Sequence, residues 1–328
     1  MLKLKPVGHV LDGTAGVDRL VGFAYRPTDF GLEIRSEAAQ AMMNGRAEVD
    51  AGTLWPDLGA IRAKGVSYAQ NFEDVRLARV FPRAAGCYID VGAYEPVFHS
   101  VTKLFYDRGW RGVNVEPQPL IFGRLAADRP EDINLNAGVS DRAGAMNFFE
   151  IPDRPGLSTF DPRGALASRE EGLRVIEREV KVLTLAELCE RHVGTGREID
   201  FLKVDAEGFE REVLNGGDWK KWRPRVVLVE AEMDACASML VGFGYEFTVF
   251  DGINRFYVRE EDRALGHGLR VPISALDDVI PYTYLRLIEE RADLGPTTLK
   301  VARRLRRLAG RFPWLSAVAR RWLGSINS

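Results

Sequence analysis

The run CYIDVGAYEPVFHSVTKLFYDRGWRGVNVEP, residues 87–117, constrains this chain more than any other segment. Tyr88, Ile89 and Val91 make an apolar stretch suited to a buried parallel strand. An Asp90-x-Gly92 turn follows, and Gly92 lets the backbone turn and come close to a ligand. The pattern predicts a helix over 98–108 whose free N–H groups and positive dipole end lie near the turn. A second strand is predicted over 112–116, ending on Glu116-Pro117. Ligands of doubly wound sheets bind at the carboxyl ends of the strands, near the point where strand order reverses.

The spacing argues against a nicotinamide oxidoreductase. Such a site needs Gly-x-Gly-x-x-Gly to cradle a pyrophosphate, and here a single glycine follows Asp90. Glu116 is placed to accept two hydrogen bonds from a ribose diol. Asp-x-Gly with a ribose carboxylate about one βα unit later suits S-adenosylmethionine (SAM), which carries no phosphate. Taken alone, Asp-x-Gly is a turn that ordinary βαβ units also carry.

The same alternation continues downstream. Helix 118–127, strand 132–138, a further strand at 143–151, a strand running into a helix over 180–192, strand–turn–helix over 199–217 and a strand at 223–232 are expected. GYEFTVFDGINRFYVRE (244–260) reads as two strands around Asp251-Gly252-Ile253-Asn254, a hairpin. Parallel βα alternation closed by a terminal hairpin is the class I methyltransferase layout, a Rossmann-like α/β fold. Residues 152–178 are polar and lack strong periodicity, as a lid or binding loop would. Three parts are expected: a small β-rich extension over 1–60, a SAM-dependent methyltransferase domain over 61–262, and a helical basic tail over 263–328. In the first part, strands are expected at 20–27 and 31–36 and one or two helical turns from Ala38 to Met43. That part reads as a packing element or as a lid for a substrate or partner.

Composition narrows the class. The chain has 328 residues, 46% hydrophobic and 28% charged, which is globular. No run approaches the length of a membrane span, and the first residues lack the apolar stretch of a secretory signal. Three widely spaced cysteines (Cys87, Cys189, Cys236) fit neither a disulfide framework nor a zinc site, so a cytoplasmic setting is expected. The net charge is −2, yet eight Lys or Arg and no acid lie from Leu294 onward, leaving −10 on the rest. An acidic body with a basic end argues against a nucleic-acid binder and allows the tail its own partner.

FLKVDAEG (201–208) forms a second dense constellation. At a two-residue period Lys203, Asp205 and Glu207 share a strand face, Gly208 permits a turn, and Glu210 starts the next helix. Glu230 ends the neighbouring strand, so Asp205, Glu207 and Glu230 are expected near the pocket. Three roles compete. Asp205 or Glu207 deprotonates a substrate hydroxyl as general base. Alternatively the carboxylates, with Asp205 and Glu230 as candidate ligands, hold a divalent cation that acidifies the hydroxyl. Or Lys203 and the carboxylates form a structural network that also orients the SAM ammonium. His99, nine residues past Asp90, is a further catalytic or substrate-contact candidate. Gln70, Glu73 and Asp74 cluster where a helix begins, as acids in a first turn often do.

These runs together resemble the FkbM family of SAM-dependent methyltransferases. The resemblance is carried by SYAQNFEDVRL (67–77), the long run 88–117, LNAGVSD (135–141), LSTF (157–160), IDFLKVDAEGFEREVLNGGDW (199–219) and GYEFTVFDGINRFYV (244–258). It implies O-methylation, commonly of sugar hydroxyls in glycans or natural products. It implies SAM binding by Asp90, Gly92, Ala93, Glu116 and Pro117, with Ser140 and Asp141 near the adenine and Gln70 and Glu73 at the pocket. A catalytically silent SAM-binding scaffold in a glycan-assembly complex is the alternative.

The tail, 295–328, carries two short amphipathic stretches separated by Pro313, with Trp314 and Trp322 among the apolar positions and arginines over much of the rest. Such a segment suits peripheral contact with the cytoplasmic face of an anionic membrane, or a helical pair docked on the body or on a second subunit.

Overall fold

The computed structural model describes residues 64–230 and 236–293. The expectations for residues 1–60 and for the tail from 294 onward lie outside the described residues.

The elements follow in chain order. β1 (Gly65–Ser67) leads to α1 (Glu73–Val80), β2 (Tyr88–Val91), α2 (Lys103–Asp107), β3 (Val113–Val115), α3 (Pro119–Asp128) and β4 (Ile133–Leu135). Then come β5 (Gly138–Ser140), β6 (Gly144–Glu150), α4 (Pro162–Glu170), β7 (Ile176–Thr184) and α5 (Leu185–Leu188). The last group is β8 (Phe201–Val204), α6 (Glu210–Asn215), β9 (Val226–Glu230), α7 (Ala237–Gly242), β10 (Tyr245–Phe250), β11 (Asn254–Arg259), α8 (Leu265–Arg270), β12 (Val279–Pro281) and α9 (Tyr282–Asp293).

Seven strands form one sheet in the order β10-β11-β9-β8-β2-β3-β4. All neighbours are parallel except β11, which runs antiparallel to both β9 and β10. This is the doubly wound, Rossmann-like sheet with a terminal antiparallel hairpin. Successive connections leave β2 toward β3 and β4 on one side and toward β8 and β9 on the other. The switch point therefore lies between β2 and β8.

The sheet is buried on both faces, which explains its near-continuous apolar strands. Ile89, Val91, Val113, Leu202, Val204, Val227 and Val229 point to one side, where they meet Leu185, Leu188, Val213, Leu214 and Leu240. Tyr88, Phe201, Val226, Leu228 and Phe256 point to the other and meet Leu77, Phe81, Phe105 and Leu269. Burying each such side chain contributes about 1.5–3 kcal/mol. Cys87, Cys189 and Cys236 are free thiols within this core.

Several elements differ from expectation for local reasons. The helix expected over 98–108 begins only at Lys103, because His99 takes a positive φ of 59° inside the expected span, as Tyr94 does before it (53°). No helix N-terminus therefore meets the Gly92 turn. The strand expected over 132–138 divides. β4 stays in the main sheet, whereas β5 pairs with β7 in a three-stranded sheet with β6. The break lies at Asn136, whose side chain donates to the Glu116 and Pro117 carbonyls.

The 152–178 segment is more regular than its sequence suggests. It holds a short 3-10 turn (Pro155–Leu157), α4 and the start of β7. Residues after the hairpin return to the body: Arg76 and Arg79 donate to carbonyls of Leu269, Gly268 and Val271, and β12 pairs in parallel with β1. Among the described residues no helix is long and apolar enough to cross a membrane.

Candidate active site

A cavity of about 430 Å³ opens at the carboxyl ends of β2, β3, β8 and β9, over the switch point. Gln70, Gly92, Ala93, His99, Glu116, Pro117, Asp205, Glu207 and Glu230 all line it. The remaining named candidates, Glu73, Asp90, Ser140 and Asp141, do not.

Asp90 lies beneath the cavity rather than in its wall. Period-two alternation puts it on the Tyr88 face of β2, where it is 1% exposed. Its Oδ2 accepts a hydrogen bond from the Thr102 hydroxyl at 2.7 Å, and its Oδ1 lies 3.4 Å from Lys203 Nζ. The register pairs Asp90 with Lys203 across β2 and β8. Ser140 turns from the cavity because its strand packs on Gly216, where a Cβ would come within 2.2 Å of the Ser140 carbonyl oxygen. The Ser140 hydroxyl donates to Asp141 instead.

Glu73 is also a support. Its carboxylate accepts from the Asn71 N–H at 2.7 Å and from the Asn254 side chain at 2.7 Å. Asp74 gathers the Ser67 hydroxyl and the N–H groups of Tyr68 and Val75. Together they shape the 67–72 loop that carries Gln70 to the cavity and tie it to the hairpin turn.

Gly92 makes the turn its sequence context suggested and has a second reason to be glycine. At φ +75° a Cβ there would sit 1.7 Å from the Asp205 carbonyl oxygen. The constraint is the close approach of the β2 and β8 ends to each other.

Glu116 is 2% exposed. One oxygen accepts from the Tyr94 N–H (3.0 Å), the other from the Gln118 N–H (2.8 Å). Burial pushes its pKa up to about 7, against the pull of those two donors.

Lys203 neutralises the floor. Its ammonium donates to Asp205 Oδ2 (3.1 Å) and to the Gly92 carbonyl (3.2 Å), and faces Asp90. It thus makes two hydrogen bonds, and its contact with Asp90 Oδ1 is an ion pair without one. Burial alone would lower its pKa, but Asp205 and Asp90 outweigh that and hold it above the ordinary lysine value.

The other two carboxyls are outside this ion-pair network. Burial, reinforced by the Asp205 charge, raises Glu207 to about 8. Burial and Asp205 likewise raise Glu230 to about 8, and the Glu230 and Asp205 carboxyls share a hydrogen bond. Glu207 also has a left-handed backbone, φ 50°, fixed by the Thr159 hydroxyl, which donates to its carbonyl at 2.8 Å. Glu210 closes the turn by accepting the Ala206 and Gly208 N–H groups. His99 is exposed at the cavity edge, stacked on Phe98 with ring centroids 3.9 Å apart, and partial burial lowers its pKa.

The far wall, Arg154 to Ser158 and Phe160, comes from the 152–178 segment expected as a lid or binding loop, whereas sequence reasoning gave no site role to Tyr94, Gln118 or Val139. The LSTF run was the available signal: Thr159 holds Glu207, and Ser158 accepts the Ile151 N–H while donating to Gln118. Among the described residues, no group of three or more His, Cys, Asp or Glu is arranged to hold a metal ion.

The raised carboxyls predict a pH dependence of folding. Glu73, Glu116, Glu207 and Glu230 have ordinary values near 4.5 and folded values of about 7 to 8. The folded state thus binds more protons than the unfolded state between these limits. Their contribution is complete below about pH 4.5 and lost as pH rises through 7 to 8. The urea midpoint of the ligand-free protein is expected to fall between pH 6 and pH 9. A midpoint rising across that interval would contradict the burial of these groups.

Comparison with known families decides the class, since residues 90–244 match the methyltransferase FkbM domain. The chain carries an FkbM methyltransferase domain. The match begins at Asp90 and spans the Glu116 and Lys203–Glu210 runs, leaving the Gln70 loop outside. Over 168 residues the chain is 28% identical to the methyltransferase sdnD of Sordaria araneosa, covering 43% of this chain and 64% of that relative. It therefore spans less than two thirds of that relative's length. Among solved structures, a TehB-like SAM-dependent methyltransferase from Corynebacterium glutamicum aligns at 10% identity and TM-score 0.32, over 68% of this chain and 96% of that one. A precorrin-6y C5,15-methyltransferase from Geobacter metallireducens aligns at 12% identity and TM-score 0.27, over 58% and 89%. Alignments this loose add no weight to the FkbM domain's fold, which rests on its strand order.

Proposed function

We propose that this FkbM-domain protein is a SAM-dependent O-methyltransferase whose acceptor is a sugar hydroxyl of a glycan or glycosylated natural product. The observation that carries the proposal is that Glu116 and Glu207 open into one cavity. One is a ribose-type carboxylate and the other a proton acceptor poised near neutral pH.

The residues present fit SAM. Each Glu116 oxygen spends one lone pair on a backbone N–H and keeps another for a ribose hydroxyl. Val115, Ala137, Val139 and Phe160 supply apolar wall for a base. Asp205, Glu207 and Glu230 line the opposite side and offer oxygen acceptors to an ammonium. When bound, SAM supplies an electrophilic methyl group.

The protein's own residues then position, exclude water and remove a proton. A sugar hydroxyl is a weak nucleophile at neutral pH. The Glu207 carboxylate takes its proton as the oxygen attacks, and a base with a pKa near 8 is matched to that task. Asp205, paired with Lys203 at 3.1 Å, lies in the same cavity as Glu207. His99, neutral at pH 7, faces the same space.

Calorimetric titration with SAM, followed by S-adenosylhomocysteine release on a panel of glycan acceptors, tests the proposal. Absence of SAM binding removes it; binding with turnover only on non-hydroxyl acceptors removes the oxygen assignment. Glu116→Ala is expected to weaken SAM binding about 10- to 100-fold, the scale of a hydrogen bond to a charged group. Turnover at saturating SAM should change much less.

A further inference from the structure

We propose that Arg129 is a positioning residue for this pocket, acting on the 92–102 loop; the inference rests on the SAM reading of the same site. Arg129 follows α3, does not line the cavity and is 0% exposed. A buried guanidinium is costly unless its donors are used. Here the two terminal nitrogens, though not Nε, converge on one loop: the Pro96 carbonyl, the Ser100 hydroxyl and the Thr102 hydroxyl, the last at 2.7 Å.

These partners carry no charge. The nearest link to an anion is relayed, since Thr102 accepts from Arg129 and donates to Asp90. Asp90 thus sits between two buried cations, Lys203 directly and Arg129 through a hydroxyl. The planar fork reaches three acceptors in fixed geometry, which a lysine ammonium reproduces only in part.

The loop so held is strained. Tyr94 and His99 are non-glycine residues at φ 53° and 59°, a conformation that persists only where the surroundings over-determine it. Both line the cavity, and the Tyr94 N–H fixes one oxygen of Glu116. Arg129 holds the loop in the shape that delivers this N–H and the His99 ring.

The test uses the full chain with Arg129→Met, Arg129→Lys and Ser100→Ala, each checked for folding by circular dichroism. Amide hydrogen exchange over 92–102 and the SAM dissociation constant are the readouts. In Arg129→Met, which removes three hydrogen bonds to the loop, exchange in the loop and the dissociation constant are each expected to rise roughly tenfold or more, with exchange in β2 and α3 unchanged. Arg129→Lys should recover part of both, and Ser100→Ala should shift both about threefold. A folded Arg129→Met with wild-type loop exchange and wild-type SAM affinity overturns the proposal. If Arg129→Met does not fold, unchanged values in Ser100→Ala overturn it. If the unsubstituted protein fails to bind SAM, the SAM reading falls, and the exchange arm alone decides whether Arg129 holds the loop.

Discussion

Glu207→Gln is expected to lower methyl transfer by about 10²- to 10⁴-fold, the usual contribution of a general base, and to leave SAM affinity within a few fold. Glutamine keeps the shape and an acceptor oxygen but cannot take a proton. The pH profile separates this from a packing defect. In the parent protein the rate should climb as Glu207 ionises near pH 8, and in the variant that climb should vanish. A Glu207→Gln enzyme with parental turnover would pass the role to His99, and His99→Gln would then carry the loss.

Lys203→Met is expected to destabilise the fold by about 3–5 kcal/mol, the scale of removing one partner from a buried charge pair. Methionine preserves most of the volume, so the loss arises from Asp90 and Asp205, which lose their shared counter-ion. Adding Asp90→Asn should restore part of the stability, because it removes one of the two uncompensated charges. Urea titration of the single and double variants reads this directly. A double variant less stable than Lys203→Met alone would mean that Asp90 matters chiefly to Thr102 and Arg129.

The sheet was legible because its central strands are apolar on both faces and end on turn residues. Glu116 could be placed from sequence for the same reason, since it is the first residue past a buried strand. Asp90 was harder. The motif suggested a ligand contact, whereas the alternation of Tyr88 and Asp90 against Ile89 and Val91 already put its side chain on the face that packs on Leu77 and Phe105. The split of 132–138 and the late start of α2 depend on Asn136 and on strained residues whose partners are distant in sequence. The far wall has no periodicity to read: Phe149 and Thr159 exchange backbone hydrogen bonds, and that pairing, not local propensity, places Arg154 to Ser158. Arg129 left no signal, because its partners lie 27 to 33 positions earlier.

The contact between the Gly92 position and the Asp205 carbonyl also limits where acceptor preference can be altered. Two main chains meet there with no room for a methyl group, so the Gly92 position accepts no side chain. Engineering toward a new acceptor therefore has the opposite bank to work with, where Arg154 and Leu157 combine a cavity-facing position with solvent exposure. A library confined to those two positions would sample acceptor shape while leaving Glu207 and Glu116, the proposed base and ribose carboxylate, untouched.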